Sequence, residues 1–303
     1  MTQPVSAILI AGPTASGKSG LALALAERLG GVVVNADALQ VYADLRTLTA
    51  RPPDADLARA PHALYGHVDG AAPYAVGRWL DEVAGLLGGP RLPIVVGGTG
   101  LYFDALTRGL SAVPEIAPDV RERWRAAGPD VDLHAELARR DPLMAARLRP
   151  SDPQRLMRAL EVIESTGRSL RDWQNDAAAP LLVSDAALRI VLAPDRKALD
   201  ARIATRLGGM IEDGAAEEAE RLVARGLPRA APVMKALGVQ PLAAWRRGEI
   251  ARDDAVERTR VDTRRYAKRQ STWFRNRMQD WRHAAPDDAF DLATGEIERR
   301  GRV

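Results

Sequence analysis

Residues 12–19 read Gly-Pro-Thr-Ala-Ser-Gly-Lys-Ser, and this octapeptide constrains the chain more than any other stretch. It is a complete phosphate-binding loop in its proper context. The apolar run at residues 5–11 leads into it as a buried strand. The segment 18–29 leaves it as a helix with Leu21, Leu25 and Leu29 at four-residue spacing. Successive backbone N–H groups and a helix N-terminus then converge on one concavity that favours anions. Gly12, Pro13, Thr14, Ala15, Ser16, Gly17, Lys18 and Ser19 are therefore expected to hold phosphate. Lys18 supplies a point charge, and the Ser19 hydroxyl is placed to ligate Mg2+. A chance glycine turn is the competing reading, and the flanking strand and helix count against it.

Strands and helices alternate beyond the loop. A second strand is expected at 32–35 with Asp37 just past its end, and a helix at 78–87. A third strand at 92–96 runs into Gly97-Gly98-Thr99-Gly100. This predicts an α/β fold, a P-loop NTPase-like parallel sheet flanked by helices. In such sheets ligands bind outside the carboxyl ends of the strands, which puts the loop, Asp37 and Thr99 on one edge. Between 118 and 185 the pattern turns helical. One helix is well marked there, with Asp152 as N-cap, Pro153 first, a Leu156-Leu160-Ile163 stripe, and Gly167 beyond its end. That segment reads as a helical insertion domain between core segments 1–117 and 186–303. In the last segment we expect a strand at 188–192, helices at 196–207 and 212–224, and a long helix at 254–283. The tail from Pro286 reads as peripheral.

Composition excludes several classes. No cysteine occurs, which removes disulfides, thiolate catalysis and cysteine zinc sites, and makes a reducing cytoplasm the default. The longest apolar runs are too short to span a bilayer. The run at 5–11 lacks a basic leader and a cleavage site, so it is a strand and not a signal peptide. The four histidines show no metal-binding spacing. Charge is unevenly spread: nine basic residues against Asp262 and Asp280 between 258 and 282 make that stretch +7, in a chain whose formal total is +3. A polyanion partner is the sharper reading of that segment, a solvated helix face the blander one.

Taken singly, the candidate residues leave alternatives open. Asp37 could accept a proton from an attacking hydroxyl or amine, cap a helix, or orient Mg2+ through water. Gln40 suits an adenine edge with its paired donor and acceptor. Gly97 and Gly98 let backbone approach a ligand closely, unless they merely form a tight turn. Arg155 and Arg158 share a helix face, as do Arg202 and Arg206, and such pairs either contact phosphate or form structural ion pairs. In the basic segment, Ala267, Gln270, Phe274, Met278 and Trp281 form a packing stripe. Arg264, Lys268, Arg275 and Arg282 form an adjoining basic face suited to an RNA backbone. No apolar run ends in the Asp that usually holds Mg2+ in triphosphate hydrolases, so the loop reads better as a diphosphate cradle. A small-molecule P-loop kinase is the runner-up, and it gives the basic helix no role.

In order, the motifs are residues 12–19, Asp-Ala-Leu-Gln-Val-Tyr at 37–42, Gly-Gly-Thr-Gly-Leu-Tyr at 97–102 and Asp-Pro-Gln-Arg-Leu-Met-Arg-Ala-Leu-Glu-Val at 152–162. They close with Arg-Ile-x-x-Arg before Met210, Gly214 and Glu217-Glu218, then Thr-Arg-Arg-Tyr-Ala-Lys-Arg-Gln-x-Thr-Trp-Phe-Arg at 263–275. Together they resemble the bacterial-type tRNA dimethylallyltransferases over most of the chain. The resemblance implies transfer of a dimethylallyl group from dimethylallyl diphosphate to N6 of the adenosine immediately 3′ of the anticodon, releasing diphosphate, with Mg2+ and without membrane. It implies Asp37 as general base with Thr99 beside it and Lys18 and Arg206 on the diphosphate. Asp37, Ala38, Leu39, Gln40 and Thr99 would meet the flipped-out base. Arg121, Gln154, Arg155, Arg158, Lys235, Lys268, Arg269 and Arg275 would grip the anticodon stem-loop. A cytoplasmic monomer is expected. The chain departs from the family pattern at Ala38, usually Ser, at Arg51, usually Lys, and at Val239, usually Tyr.

Overall fold

The computed structural model describes residues 3–128, 130–176 and 178–301. Its sheet has six strands: β1 (Ala7–Ala11), β2 (Val32–Asn35), β3 (His62–Ala63), β4 (Pro93–Gly97), β5 (Ala187–Leu192) and β6 (Arg282–Ala284). They lie in the order β3-β2-β4-β1-β5-β6, and every pairing is parallel. All five residues of β1 are buried, as a central parallel strand covered on both faces must be. Ala11 pairs with Gly97 and with Val191, and Asn35 pairs with Val96. The carboxyl ends of β1, β2 and β4 are thus level, and the loops that leave them share one edge.

Helices α1 (Lys18–Leu29), α2 (Asp54–Leu57), α3 (Val76–Ala84) and α4 (Gly100–Arg108) belong to the first half of the chain. Residues Arg108–Pro180 form a compact unit of their own. It holds α5 (Pro118–Ala126), α6 (Leu133–Arg140), α7 (Pro142–Ala145), α8 (Pro153–Thr166) and α9 (Leu170–Asn175), with no strand among its described residues. Val120, Trp124, Leu137, Leu156 and Leu160 make its separate core. The Asp152 carboxylate caps α8 by accepting the Arg155 N–H, and Gly167 ends it at φ 66°. The other unit, Met1–Thr107 with Leu181–Val303, adds α10 (Arg196–Glu212), α11 (Ala215–Ala224), α12 (Val239–Arg246), α13 (Arg252–Arg277) and α14 (Ala289–Arg300).

Two expectations for the C-terminal segment are corrected. The long helix ends at Arg277, not near 283, and Arg282 leaves its basic face to join β6. Pairing with β5 explains the break, because it satisfies backbone groups that would otherwise sit on an open sheet edge. Nor is the tail peripheral. Ala289, Ala293 and Ile297 of α14 are buried in the main core with Ile8, Leu25 and Ile190. Small residues at four-residue spacing carry little hydropathy signal, which is why that face is hard to read.

Candidate active site

The loop after β1 is wound tightly on itself. A Cβ at Gly12 would lie 2.7 Å from the Ser16 hydroxyl, and Ala15 and Gly17 adopt left-handed φ of 63° and 92°. Alanine is strained there, a cost kept only where surroundings over-determine the turn. The Ser16 hydroxyl is fully buried without a hydrogen-bond partner. Lys18 folds back over the loop and donates from Nζ to the Pro13 carbonyl at 3.2 Å. Burial pushes its ammonium down to about 8, with Asp37 pulling it up again and Arg206 pressing it further down. From α10, Arg206 donates to the Thr14 hydroxyl at 2.5 Å and Arg202 to the Ser16 carbonyl at 3.4 Å. Arg206 is itself lowered by burial and drawn back by Asp37. Two cations held close without enough negative charge make a site that favours an anion between them.

Asn35, the last residue of β2, sets Asp37. Its Oδ1 accepts the Asp37 N–H at 2.8 Å, and its Nδ2 donates to the Asp37 carbonyl at 3.0 Å. Asp37 Oδ1 accepts the Leu39 N–H at 3.0 Å. Thr99 Oγ1 accepts the Ala38 N–H at 3.0 Å, so the contact uses backbone and does not need the serine usual at position 38. Gly97 and Gly98 serve the protein's own packing. A Cβ on Gly97 would lie 2.0 Å from the Ala36 carbonyl, and one on Gly98 would lie 2.2 Å from Gln270 Nε2. Gly100 likewise admits the Trp273 ring, 2.3 Å from its virtual Cβ.

Gln270 of α13 closes the edge. Its Oε1 accepts the Thr14 N–H at 2.8 Å and its Nε2 donates to the Gly98 carbonyl at 3.0 Å, so one buried amide ties the phosphate loop to the strand-end glycines. The packing stripe of α13 is visible in the sequence; this bridge is not. Glu218 is the second residue whose job the sequence hides. Buried in α11, it accepts the N–H groups of Arg46, Thr47 and Leu48 at 2.5, 3.1 and 2.8 Å. It thereby fixes the loop that carries Leu48 and Thr49.

Beside Asp37 a cleft opens, about 630 Å³ counting its solvent-open space. Thr14, Asp37 and Arg206 lie at its polar end, and Leu39, Leu48, Ile203, Leu207, Met210 and Leu237 supply apolar wall. Thr259, Thr263 and Tyr266 complete the lining. Anion cradle and greasy wall adjoin, which suits a short hydrocarbon attached to a phosphate.

The remaining sequence candidates have varied surroundings. Both donors of the Gln40 amide are committed to the Thr49 and Ala50 carbonyls at 2.9 Å, leaving only its oxygen. Ser19 is exposed in the first turn of α1. Lys235, Lys268, Arg269 and Arg275 are exposed, and Arg269 lies over the Tyr266 ring at 5.7 Å. Arg264 is ion-paired with Asp200 at 2.8 Å. Val239 is fully buried, so it is a core residue. In the unit Arg108–Pro180, Arg121 lies on α5 and Gln154, Arg155 and Arg158 on α8. Arg155 pairs with Asp152 at 3.3 Å and Arg158 with Glu161 at 3.5 Å.

Known proteins bear the same stamp. The family model described as IPP transferase matches residues 40–277, and one described as isopentenyl transferase matches residues 5–63. The chain is 54% identical to a tRNA dimethylallyltransferase of Azorhizobium caulinodans, over 96% of each chain. It is 56% identical to that of Rhodopseudomonas palustris, over 94% of this chain and 92% of the relative. Among solved structures, it is similar to the tRNA isopentenylpyrophosphate transferase of Bacillus halodurans, with TM-score 0.68, 29% identity and 97% of each chain covered. A eukaryotic dimethylallyltransferase acting on tRNA gives TM-score 0.83 and 26% identity, covering 99% of this chain and 81% of that one.

Proposed function

The chain belongs to the tRNA dimethylallyltransferase family, a family of prenyl-transferring enzymes, and from that premise we propose how its residues perform the transfer. The donor is dimethylallyl diphosphate and the acceptor is N6 of the adenosine immediately 3′ of the anticodon. One observation carries the reading: the phosphate loop, Lys18, Arg206 and Asp37 meet at one end of a cleft whose wall is apolar. The loop N–H groups, Lys18 and Arg206 bind the diphosphate, and Leu39, Leu207, Met210 and Leu237 take the five-carbon tail. The amine nitrogen forms a bond to the allylic C1 as the C1–O bond breaks, and the electron pair leaves with diphosphate. Charge grows on the leaving oxygens while fixed cations already face them, so stabilisation needs no reorganisation. Asp37 takes the proton that the amine sheds as it becomes a secondary amine. A base stacked in RNA cannot reach a cleft of this kind, so the adenosine must leave its stack.

Mg2+ fits the residues present. Among the described residues no group of three His, Asp or Glu could hold a metal. A cation that keeps most of its waters and is held chiefly by diphosphate oxygens needs little more than the exposed Ser19 hydroxyl. When bound, it would neutralise charge on the leaving group.

The test incubates the purified protein with unmodified tRNA, labelled dimethylallyl diphosphate and Mg2+. Label is expected in tRNA at a single adenosine. Absence of label together with rapid ATP turnover would replace this reading by the kinase one.

A further inference from the structure

The turn after β3 is left-handed on both sides of one tyrosine, and strained at the first. Leu64 has φ 65° and Gly66 φ 58°, so Tyr65 sits between two left-handed residues, the first of them bulky. A leucine persists there only when its surroundings impose it. Those surroundings belong to the active site. Asn35 Nδ2 donates both to the Leu64 carbonyl and to the Asp37 carbonyl, at 3.0 Å each. On the other side the Gly66 N–H donates to the Gln40 carbonyl at 2.9 Å, and Arg51 fills the space where a Gly66 side chain would stand. The chain at Tyr65 is therefore tied on one side, through Asn35, to Asp37 and on the other to Gln40. Its ring packs half-buried on the main core, with His62 edge-on at 5.7 Å. Its hydroxyl makes no hydrogen bond to a described residue. Burial, reinforced by the charge of Asp37, pushes the phenol above its ordinary range, so it is a neutral donor.

Neither Asp37 nor Gln40 can offer a donor. Asp37 only accepts, and the amide donors of Gln40 are spent on Thr49 and Ala50. Adenine presents an amine donor beside a ring-nitrogen acceptor on each of its edges, whereas guanine presents a carbonyl there. We propose that Tyr65 reads the acceptor base with Asp37: Asp37 accepts from the exocyclic amine while the Tyr65 hydroxyl donates to the neighbouring ring nitrogen. This rests on the acceptor assigned above. Tyr102 and Tyr266 also lie close enough to feel Asp37. Tyr102, however, is buried and stacked on Trp79 at 4.5 Å, whereas Tyr266 lines the cleft with Leu207 and Met210, where the five-carbon tail is assigned.

The experiment uses anticodon stem-loop RNAs carrying adenosine, 7-deazaadenosine or 1-deazaadenosine at the target position, with saturating labelled donor. Wild-type transfer to the adenosine RNA comes first; failure there overturns the functional reading and this proposal with it, whereas the deaza comparison tests this proposal alone. Given that transfer, one of the two deaza RNAs should lower wild-type kcat/KM by about 10- to 100-fold. Tyr65→Phe should lose about as much on adenosine and be indifferent to that same deaza change. Tyr102→Phe and Tyr266→Phe should keep the full deaza penalty. The idea is overturned if neither deaza RNA affects the wild type, a result that needs no variant to fold. It is equally overturned if the two losses multiply in Tyr65→Phe, or if Tyr266→Phe or Tyr102→Phe abolishes the penalty instead.

Discussion

Helix α13 has two faces with opposite fates. Inward, Ala267, Gln270 and Phe274 are buried, and Gln270 spends both ends of its amide on the phosphate loop and Gly98. Outward, Lys268, Arg269 and Arg275 are exposed and form no ion pair among the described residues. Residues one or two positions apart thus act by different physics. The inner face works through a few short, water-excluded contacts that fix geometry. The outer face works through charge, which is summed over many weak contacts and screened by salt. Chemistry should therefore depend steeply on single inner residues, and RNA affinity only gradually on outer ones.

The largest break is expected at the residue the inner face helps to frame. Asp37→Asn keeps size and the Leu39 N–H contact but removes the proton acceptor. Its kcat should fall about 1,000-fold while RNA affinity stays within about twofold. Single-turnover transfer and filter binding on one preparation check both, and near-normal turnover would remove Asp37 as base. Next comes Gln270→Ala. It strands the Thr14 N–H and the Gly98 carbonyl, which costs about 1–3 kcal/mol for each buried group. The donor KM should rise about tenfold or more, with a lowered Tm, because a loosened phosphate loop binds diphosphate poorly. If Lys268→Ala lowered Tm as much, the contrast between the two faces would collapse.

Much of this edge is legible in the sequence. The P-loop, Asp37 and Thr99 read onto one side of a parallel sheet because strand ends and glycine turns leave local marks. The α13 stripe reads from its spacing alone. Long-range polar bonds leave no such mark. Gln270 bonds the chain 256 residues away at Thr14, and nothing near Gln270 announces that partner. The glycines at 97 and 98 leave both room for a ligand and a plain tight turn open, and the room is taken by Ala36 and Gln270. The end of α13 and the burial of α14 escape the sequence for a related reason. β6 pairs with a strand some 90 residues earlier in the chain, and two of the three buried α14 positions in that core are alanines.

Lys18 offers an intermediate effect, again from the inner side. Its ammonium sits at about 8 in the free protein, well below a lysine's usual 10.5, because burial disfavours its charge. A bound diphosphate supplies the missing counter-charge and raises that value. Below pH about 8 the cation is already present, so binding takes up no proton at this group. Above it the free lysine is neutral, binding must take up a proton, and Kd for the donor should rise about tenfold per pH unit. Calorimetry in two buffers of different protonation heat counts that proton directly. A Kd that stays flat to about pH 9.5 would show that Lys18 remains charged without ligand.

The outer face should give the smallest change per residue, and its signature is salt rather than rate. Each basic side chain that neutralises a phosphate releases condensed counterions, so losing one lowers the slope of log K against log salt by roughly 0.7–0.9. Lys268→Ala and Arg275→Ala should each weaken RNA binding by about 3- to 10-fold near 0.1 M salt, with kcat at saturation unchanged. Arg264 makes the comparison sharp, since it shares the helix and the charge but is held by Asp200 at 2.8 Å. Arg264→Ala should leave the slope unaltered, whereas a residue that reached phosphate would change it. The double variant Lys268→Ala with Arg275→Ala should lower the slope by the sum of the single changes, because two exposed charges seven positions apart on a helix act independently. A slope that drops for Arg264→Ala and not for Lys268→Ala would put the RNA on a different face of α13 and reverse the assignment made from exposure.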